Sequence, residues 1–591
     1  MTRIQMPALA SEQRDKQALR FMKALIAKDD QHVGMFHTIE LHLTQGNFEL
    51  AYNAFREILP DGVFSDTPAK IVDGFNVCLG NIKSPFLIES LPGLREDISR
   101  YRQQLHVDGD AIRFLCIKLI HLKYNDRESI FSLQQIADDG FLLDCLANDY
   151  YPDPHIEVFL TDIRRQLLLA TAKELRINSE YLVLYQVLAL QGYLTDYVFY
   201  QREDEAQIVA SLNELVADHL SSTSCSVDEI APLLLVMSMY QPLIDTAAAV
   251  ILHEVELDQL PDYLQSGFVL TLLEPLDIDS RVASIETLGS VIEESLTVPQ
   301  QFEENPFPRG GRLSYPSHII KYRQGSRHLQ DAEFNFDALD SDPLEILVAG
   351  CGTGFQPLAM AKSYENVNIT GIDINRKSLA CAERLSLAYG VNNVHFYQAD
   401  ILELADIFRA QGRRFAVVEC TGVLNHLQEL DAGLANLVEV LEPGGVLNLG
   451  LYSTLARACI DGIRQLQQNI RVQPDPVSIR EFRREFMISN SDESLQALLS
   501  SGDFYNLLGC RDLLFNTHES SMTIPEIEQL LSRHGLAFVG FHSLDPEVDR
   551  KYQEMFPTDS NRRNLSYWHQ FEHRYPDSFQ GMYLFHCRKT G

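Results

Sequence analysis

Residues 344–354 of this chain read L-E-I-L-V-A-G-C-G-T-G, and this stretch decides the fold. An apolar run ends directly in three closely spaced glycines, Gly350, Gly352 and Gly354, and a predicted helix over 355–362 follows. The order of strand, glycine turn and helix is how a doubly wound α/β sheet begins a nucleotide-type site. Glycine is needed there because the backbone must turn tightly and lie against a ligand without an intervening side chain.

The spacing of the glycines discriminates between ligands. The dinucleotide fingerprint is G-x-G-x-x-G, and counting from Gly350 puts its third glycine at Phe355, so a nicotinamide oxidoreductase is disfavoured. The pattern present is G-x-G-x-G, which resembles motif I of the class I S-adenosylmethionine-dependent methyltransferases. The resemblance implies S-adenosylmethionine as the cofactor. One departure is Val348, because many members of the family carry an acid at that place, where it can contact the amino-acid end of the cofactor.

Strand and helix patterns alternate through the rest of the C-terminal half. The predicted strands are 346–348, 367–372, 394–398, 415–419, 446–451, 537–542 and 582–587, and the predicted helices include 376–389, 431–441 and 524–534. The last strand is predicted to complete the sheet as its antiparallel edge. The expected fold is therefore α/β, a Rossmann-like seven-stranded methyltransferase sheet preceded by an all-α, tetratricopeptide-like N-terminal region.

Acidic residues follow the second and third predicted strands. Asp373 lies 19 residues after Gly354, where a carboxylate can accept hydrogen bonds from both ribose hydroxyls of a nucleoside. In the family that the chain resembles, the acid after the third strand usually receives the adenine amino group, which implies that role for Asp400. The predicted cofactor-binding residues are Gly350, Cys351, Gly352, Gly354, Asp373, Ile374, Asp400, Ile401 and Glu419.

The segment from Glu419 to His426, at the end of the fourth strand, is the predicted location of catalytic groups. Ligands of open α/β sheets bind at the carboxyl ends of the strands, and methyl transfer needs an aligned nucleophile and, where that atom carries a proton, a base. Glu419 either orients a substrate amine or directs negative charge towards the sulfonium. His426 is a candidate base, and its structural alternative is to cap the next helix or pack behind the cofactor. Tyr452 completes the predicted catalytic set, and Arg457 is a candidate partner for an anionic substrate group.

Composition restricts the class of protein and its partners. The chain has 591 residues, a formal net charge of −33 and a pI near 4.9, and such an acidic protein repels phosphate backbones, so no nucleic acid partner is expected. Ten cysteines without C-x-x-C or metal-like spacing predict no metal site and indicate a reducing cytosol. The most apolar stretch, 231–253, is interrupted by Gln241, Pro242 and Asp245, and no apolar leader opens the chain, so we expect a cytoplasmic protein with no membrane span.

Residues 1–295 are predicted to be almost wholly helical, because apolar residues recur every three or four positions. The segment 38–59 resembles one tetratricopeptide repeat at its turn, close-contact and core positions, which are Gly46, Ala51, Ala54 and Phe55. No clear copies recur at a period of about 34 residues, so we predict one repeat-like hairpin within an irregular helical array.

A proline-rich segment, residues 296–330, separates the helical region from the predicted sheet. Its run 302–309 is similar to a segment that precedes the catalytic domain in a group of bacterial proteins, which join tetratricopeptide-type helices to a methyltransferase domain. We predict either an ordered connector or a lid over the cofactor or substrate, with Arg309 and Tyr315 as the residues that would act in it.

Residues 331–591 are the expected methyltransferase domain, with a helical insert near 455–500. Repeat-like helices form concave surfaces that suit peptides, so a protein or peptide methyl acceptor held by the helical region is the first hypothesis, and the same region can bind a protein partner. A small-molecule acceptor is the alternative. A non-catalytic interaction scaffold that retains the cofactor fold is a second class, against which the intact glycines and acids argue.

Overall fold

The computed structural model describes residues 38–39, 41–43, 45–58, 74–75, 78–82, 91, 93–102, 109–124, 131–221, 227–290, 313, 315, 319–325, 336–488, 498–516, 519–542 and 544–590. The chain forms two compact units. The sheet unit contains Arg281–Arg471 and Arg511–Gly591, and the helical unit contains Asp15–Ser280 and Val472–Cys510. Residues 472–510 therefore belong to the helical unit, although they lie in sequence between two parts of the sheet unit.

Seven strands form the sheet: β1 Leu344–Ala349, β2 Val367–Asp373, β3 Val394–Gln398, β4 Phe415–Thr421, β5 Leu441–Leu451, β6 Leu536–Phe541 and β7 Tyr583–Lys589. Their order is β3-β2-β1-β4-β5-β7-β6, with β1 to β5 parallel and β7 antiparallel to both neighbours. The predicted Rossmann-like seven-stranded sheet is confirmed. The prediction that the last strand is the edge was wrong, because β7 forms hydrogen bonds on both sides and β6 is the edge.

Helices connect the strands. Before and between the first five strands they are Tyr322–Gly325, Phe355–Ser363, Arg376–Ala388, Leu404–Gln411 and Leu430–Val440. Between β5 and β6 the chain forms Thr454–Ile470, Pro476–Ile488, Leu507–Phe515 and Ile524–Arg533, and Pro546–Met555 and Leu565–Arg574 precede β7. Local capping sets several helix starts. Asn375, for example, accepts the Ser378 N–H, and Thr523 and Glu526 form a capping box.

The two faces of the sheet differ in polarity. Alternate residues of the central strands, such as Val418, Leu447 and Phe585, lie in one continuous hydrophobic core. Their neighbours in sequence point to the opposite face, where the register aligns Glu419 with Asn448 and Asn448 with His586. Three polar side chains therefore lie side by side across β4, β5 and β7, at the centre of the sheet.

The helical unit contains the helices Phe48–Ile58, Leu94–Arg102, Gly109–Tyr124, Leu133–Ala137, Gly140–Asn148, Pro154–Glu174, Leu182–Leu194, Glu203–Leu220, Val227–Met237, Ala249–Leu252 and Asp262–Phe268, with Glu274–Arg281 at its end. Within the segment predicted as a repeat-like hairpin, Gly46 adopts a positive φ of 72°. The side chains of Ala51, Ala54 and Phe55, on the helix Phe48–Ile58, are buried in the hydrophobic core of the helical unit. The assignment of this segment to a tetratricopeptide repeat stays a prediction. Across the described residues, none of the helices is long and apolar enough to cross a membrane.

A buried ion pair fixes the helix Pro476–Ile488 within the helical unit. The guanidinium of Arg483 is fully buried and donates to both carboxylate oxygens of Glu157, at 3.0 and 2.7 Å. It also donates to the carbonyls of Val198 and Phe504, at 3.0 and 2.6 Å. The donors of the guanidinium thus have partners drawn from distant parts of the sequence, which is the condition for burying such a charge.

Only part of the predicted connector lies among the described residues, and the run 302–309 with Arg309 lies outside them. Ile320 forms a short parallel bridge with Tyr364, directly after the helix Phe355–Ser363, and donates its N–H to the Ser363 carbonyl at 3.1 Å. Tyr315 lies under the Lys362 ammonium, 5.8 Å from its ring centroid. These contacts belong to the sheet unit, and the choice between connector and lid stays a prediction.

Candidate active site

The glycine turn after β1 is built so that side chains cannot be added to it. Gly350 and Gly354 adopt positive φ values of 73° and 83°. A Cβ atom on Gly350 would lie 2.3 Å from Cγ2 of Val423, and one on Gly354 would lie 2.6 Å from Cβ of Ala382. The Gly350 N–H donates to the Ile372 carbonyl at 2.8 Å, which ties the turn to the end of β2. The backbone at the carboxyl end of β1 is therefore bare and fixed, as the sequence predicts.

Asp373 ends β2 beside this turn. One carboxylate oxygen accepts the Gly352 N–H at 2.8 Å, and the other accepts the Asn375 N–H at 2.9 Å. Burial raises the pKa of Asp373, and these backbone hydrogen bonds act in the opposite direction. Each oxygen of a carboxylate can accept a second hydrogen bond, so Asp373 can still receive two hydroxyl groups. The carbonyl of Ile374, the next predicted cofactor residue, accepts from Gln398 Nε2 at 3.0 Å.

Asp400 follows β3 and is 2% exposed. Its Oδ1 accepts the Leu402 N–H at 2.9 Å, which caps a short 3-10 turn over Ile401–Glu403. Its Oδ2 is buried and contacts no hydrogen-bond donor among the described residues. A buried carboxylate oxygen without a donor is costly, so this atom fits a ligand that brings an N–H group. Ile401, the next residue, is buried and apolar, which suits contact with the flat face of a ring in the ligand.

Glu419 lies inside β4, and its side chain is buried. Its carboxylate accepts hydrogen bonds from Asn448 Nδ2, from Gln356 Nε2 at 3.3 Å and from the Tyr322 hydroxyl at 3.4 Å. Burial raises the pKa of Glu419 to about 7, while these three hydrogen bonds favour the charged form. The carboxyl group therefore changes charge near neutral pH, within the sheet and close to the glycine turn.

His426 lies at the carboxyl end of β4, in a short 3-10 turn over Leu424–His426. Its Nδ1 lies 3.0 Å from Asn516 Nδ2, and the same amide nitrogen donates to Asp512 Oδ1 at 2.9 Å. The amide nitrogen must face Asp512, since an amide oxygen there would meet a carboxylate. Nδ1 of His426 is thus an acceptor, and the neutral ring carries its proton on Nε2. Nε2 is buried without a partner in the described part of the chain, so in this tautomer it presents an N–H donor. The catalytic role of His426 as a base stays a prediction.

The tautomer of His426 is directly testable. Selective ¹⁵N-histidine spectra of the whole protein should show His426 as the Nε2–H form, with its resonances assigned from a His426→Gln variant. Asn516→Leu removes the donor to Nδ1 and should let the other tautomer appear. A predominant Nδ1–H form in the unaltered protein would contradict this hydrogen-bond pattern.

Tyr452 follows β5 and is completely buried. Its ring meets the His426 ring edge to face at 5.9 Å, and the Arg457 guanidinium lies 3.7 Å from its centroid. Arg457 also pairs with Glu519 at 3.4 Å, and Glu519 accepts a bidentate pair from Arg464. Arg457 therefore has an acidic neighbour within the protein, which it shares with Arg464. Its pairing with an anionic substrate group stays a prediction.

Two cysteines in the predicted site are buried and uncharged. Burial raises the pKa of the Cys351 thiol well above its usual range and that of Cys420 to about 12. Neither is a thiolate at neutral pH, so neither acts as a nucleophile. In the described residues, no group of three or more histidine, cysteine, aspartate or glutamate side chains is placed to hold a metal ion.

Several residues around the predicted groups were missed by sequence reasoning: Tyr322, Gln356, Asn448, Asn516 and His586. Asn448 and His586 left a usable signal, because each is a polar residue within a strand whose neighbours are apolar. A buried polar side chain in such a strand needs a partner across the sheet. The other three lie on a helix, directly after a helix or in the connector, where a polar residue is unremarkable.

Comparisons with known proteins match this region of the chain. A family model described as a methyltransferase domain matches residues 340–508. The chain is 31% identical over 242 residues to an uncharacterised protein of Synechococcus sp., covering 38% of this chain and 55% of that protein. It is 29% identical over 133 residues to a ubiquinone biosynthesis O-methyltransferase of Rickettsia conorii, covering 22% and 43%. A protein of the same name from Erwinia tasmaniensis is 32% identical over 113 residues, covering 19% and 43%.

The chain thus spans about half the length of these curated relatives. Among solved structures, PKMT2 from Rickettsia typhi aligns with a TM-score of 0.32 and 16% identity, covering 42% of this chain and 48% of that one. A putative sarcosine dimethylglycine methyltransferase from Galdieria sulphuraria aligns with a TM-score of 0.25 and 12% identity, covering 42% and 79%.

The family match and the fold point to the same class. The matched residues include the whole glycine turn, and Phe355 stands where a dinucleotide enzyme would need its third glycine. The acids after β2 and β3 lie at the same edge of the sheet as that turn, and their free acceptor positions fit a nucleoside. We conclude that the sheet unit belongs to the class I S-adenosylmethionine-dependent methyltransferases, with S-adenosylmethionine as its cofactor.

Proposed function

We propose that this protein transfers a methyl group from S-adenosylmethionine to a protein or peptide that the helical region holds. The observation that supports activity most strongly is the buried Asp400 Oδ2, which lacks a donor among the described residues, near the bare glycine turn. A scaffold that had lost its cofactor would have no reason to keep a desolvated carboxylate oxygen open. The non-catalytic alternative is therefore disfavoured.

Different residues are proposed to bind different parts of the cofactor. When bound, S-adenosylmethionine supplies a methyl group on a positively charged sulfur. Asp373 is proposed to accept the ribose hydroxyls, and Asp400 Oδ2 the adenine amino group. The turn from Gly350 to Gly354 leaves the backbone open, so the ligand can lie directly against it.

On the acceptor side, His426 and Tyr452 follow β4 and β5, at the sheet edge where open α/β folds bind ligands. We propose that the Nε2–H of His426 donates a hydrogen bond to the acceptor molecule and orients its nucleophile. The Asp512–Asn516 pair holds the imidazole in the tautomer that can do so. Tyr452 packs between His426 and Arg457, so its proposed role is to fix the imidazole.

The class of acceptor has two candidates. The helical unit, with its repeat-like hairpin, supports a protein or peptide, because such helical arrays bind extended chains. The names of the Rickettsia conorii and Erwinia tasmaniensis relatives favour instead a small hydroxylated molecule, methylated on oxygen. These relatives match the methyltransferase region only, which is why the helical unit decides our first choice.

Transfer of a tritiated methyl group distinguishes the two candidates. The whole protein is incubated with methyl-labelled S-adenosylmethionine and, separately, with the protein fraction or the low-mass fraction of a bacterial extract. We expect label in acid-precipitable material that protease releases, and much less such label with an Asp400→Ala variant at the same, subsaturating concentration of S-adenosylmethionine. Label confined to the low-mass fraction would establish the small-molecule alternative.

Replacing Asp400 by Ala should weaken the binding of S-adenosylhomocysteine by about 1–3 kcal/mol, because the adenine amino group loses a buried charged acceptor. The matched control is Asp406→Ala, whose side chain is 88% exposed and pairs at the surface with Arg409. Titration calorimetry gives both affinities, and thermal unfolding checks that the 3-10 cap is not what was lost. Equal affinities for the two variants would remove Asp400 from the adenine site.

A further inference from the structure

β1 lacks the acidic residue that many members of the family carry two places before the first glycine. The neighbouring strand β4 carries an acidic residue, Glu419, at the paired position. Val348 occupies that place on β1 and is 1% exposed. The parallel register of β1 and β4 pairs Val348 directly with Glu419. Partners in parallel strands lie about 4.8 Å apart and point to the same face of the sheet. A carboxylate therefore stands one strand away from the place where the family usually has it.

The surroundings of Glu419 contain hydrogen-bond donors without a positive charge. The donors are two amides, Asn448 and Gln356, and the phenol of Tyr322. In the part of the chain that the structure describes, no lysine or arginine pairs with this carboxylate. A buried carboxylate is normally paired with a cation or neutralised, so Glu419 is matched electrostatically to a ligand that carries one positive charge.

We propose that Glu419 replaces the missing acid of β1 and binds the ammonium group at the amino-acid end of the cofactor. This inference rests on the proposed function, since it concerns the same cofactor. S-adenosylmethionine carries two positive groups, the ammonium and the sulfonium. The inference pairs Glu419 with the ammonium and not with the sulfonium.

The contacts of Glu419 favour the ammonium over the sulfonium. Its carboxylate is bonded to Gln356, which lies in the first turn of the helix that starts directly after Gly354. The carboxylate thus lies beside the start of the helix that follows the glycine turn. The methyl group must instead lie towards His426 and Tyr452 on the acceptor side, and none of the hydrogen bonds of Glu419 leads to either of them.

Binding of an ammonium group to Glu419 must release protons near neutral pH. Because burial raises the pKa of this carboxyl to about 7, part of the population carries a proton there at neutral pH. A cation lowers the pKa, so the proton leaves when the ligand binds. The other titratable groups around it are the phenols of Tyr322 and Tyr364 and, through Asn448, the imidazole of His586.

Three ligands separate the possible roles. S-adenosylmethionine carries both cations, S-adenosylhomocysteine carries only the ammonium, and 5′-methylthioadenosine carries neither. We expect Glu419→Gln to weaken the first two ligands about equally, by about 10- to 100-fold, and to leave 5′-methylthioadenosine unchanged. Glu439→Gln, at a half-exposed carboxylate of the same unit, is the matched control and should change none of the three.

Calorimetry in two buffers of different ionisation enthalpy measures the proton directly. The unaltered protein should release a measurable fraction of a proton per S-adenosylhomocysteine at pH 7, and none per 5′-methylthioadenosine. The Glu419→Gln variant should release none with either ligand. Unchanged binding of 5′-methylthioadenosine also shows that the variant is folded around the nucleoside site.

Other outcomes overturn the inference without touching the proposed function. A loss confined to S-adenosylmethionine would move Glu419 to the sulfonium, and equal losses for all three ligands would make its role structural. Unchanged affinities would remove it from the cofactor site altogether. If the unaltered protein bound none of the three ligands, the proposed function itself would fail.

Discussion

Replacing Glu157 by Ala should lower the free energy of unfolding of the helical unit by about 3–5 kcal/mol, because it leaves the fully buried Arg483 guanidinium without its counter-charge. The two side chains form a bidentate pair with no access to water, and the remaining partners of Arg483 are neutral carbonyls, such as that of Val198. Chemical unfolding of the whole protein, followed in the transition that reports on this unit, measures the change.

Two control variants separate the effect of the buried, unpaired charge from the effect of losing an ion-pair contact. The double variant Glu157→Leu with Arg483→Met removes both charges and should recover most of the loss, since apolar pairs often replace buried ion pairs without cost. Asp204→Ala breaks a bidentate pair with Arg165, in which Asp204 is 53% exposed, and should lower the free energy of unfolding far less, because solvent screens an exposed ion pair. A loss for Glu157→Ala no larger than for Asp204→Ala would contradict the importance of burial.

This ion pair also bears on how the chain can be divided. Arg483 lies on the helix Pro476–Ile488, which belongs to the helical unit although it interrupts the methyltransferase sequence. A fragment that starts near residue 296 therefore keeps Arg483 and loses Glu157. Such a fragment should fold better when residues 472–510 are replaced by a short linker, which removes the uncompensated charge.

Replacing Gly350 by Ala should cost about 2–5 kcal/mol in stability and abolish detectable binding of S-adenosylhomocysteine. The positive φ of 73° alone costs an L-residue about 1–2 kcal/mol, and overpacking adds about 1–3 kcal/mol. The new methyl group would lie 2.3 Å from Cγ2 of Val423, so the Val423 side chain or one of the two backbones must move. Val423 precedes the turn that carries His426, and the displacement therefore reaches both the cofactor side and the acceptor side.

Gly390 provides the matched control for this substitution. It has a similar φ of 61°, but a Cβ atom there would meet nothing within 4 Å. Gly390→Ala should cost only the backbone strain, about 1–2 kcal/mol, and leave the affinity for S-adenosylhomocysteine unchanged. If the two variants were alike in thermal unfolding and in titration, close packing around the glycine turn would not be what the site requires.

Local features of the sheet unit could be predicted from the sequence because they depend on neighbouring residues. The glycine spacing, the strand periodicity and the acids after β2 and β3 are all readable within short windows. The polar contacts of Glu419 are not, because Asn448 reaches Glu419, and His586 reaches Asn448, only through the order in which β4, β5 and β7 pair. The same holds for Arg483 and Glu157, which are 326 residues apart in sequence.

The role of His426 shows a different limit. Its position after β4 was predictable, but its protonation pattern depends on Asn516, 90 residues further along the chain. Whether a histidine accepts or donates is decided by the partner of its other nitrogen. Residue type and spacing therefore predicted where His426 lies in the sheet unit, but not which of its nitrogens donates a hydrogen bond.

Titration of the whole protein with S-adenosylhomocysteine, beside NAD as a control ligand, tests the central claim most directly. A class I methyltransferase site built on Gly350, Asp373 and Asp400 should bind S-adenosylhomocysteine with a dissociation constant in the micromolar range, near −8 kcal/mol, and should not bind NAD. Binding of NAD alone, or of neither ligand by a protein shown to be folded, would contradict it.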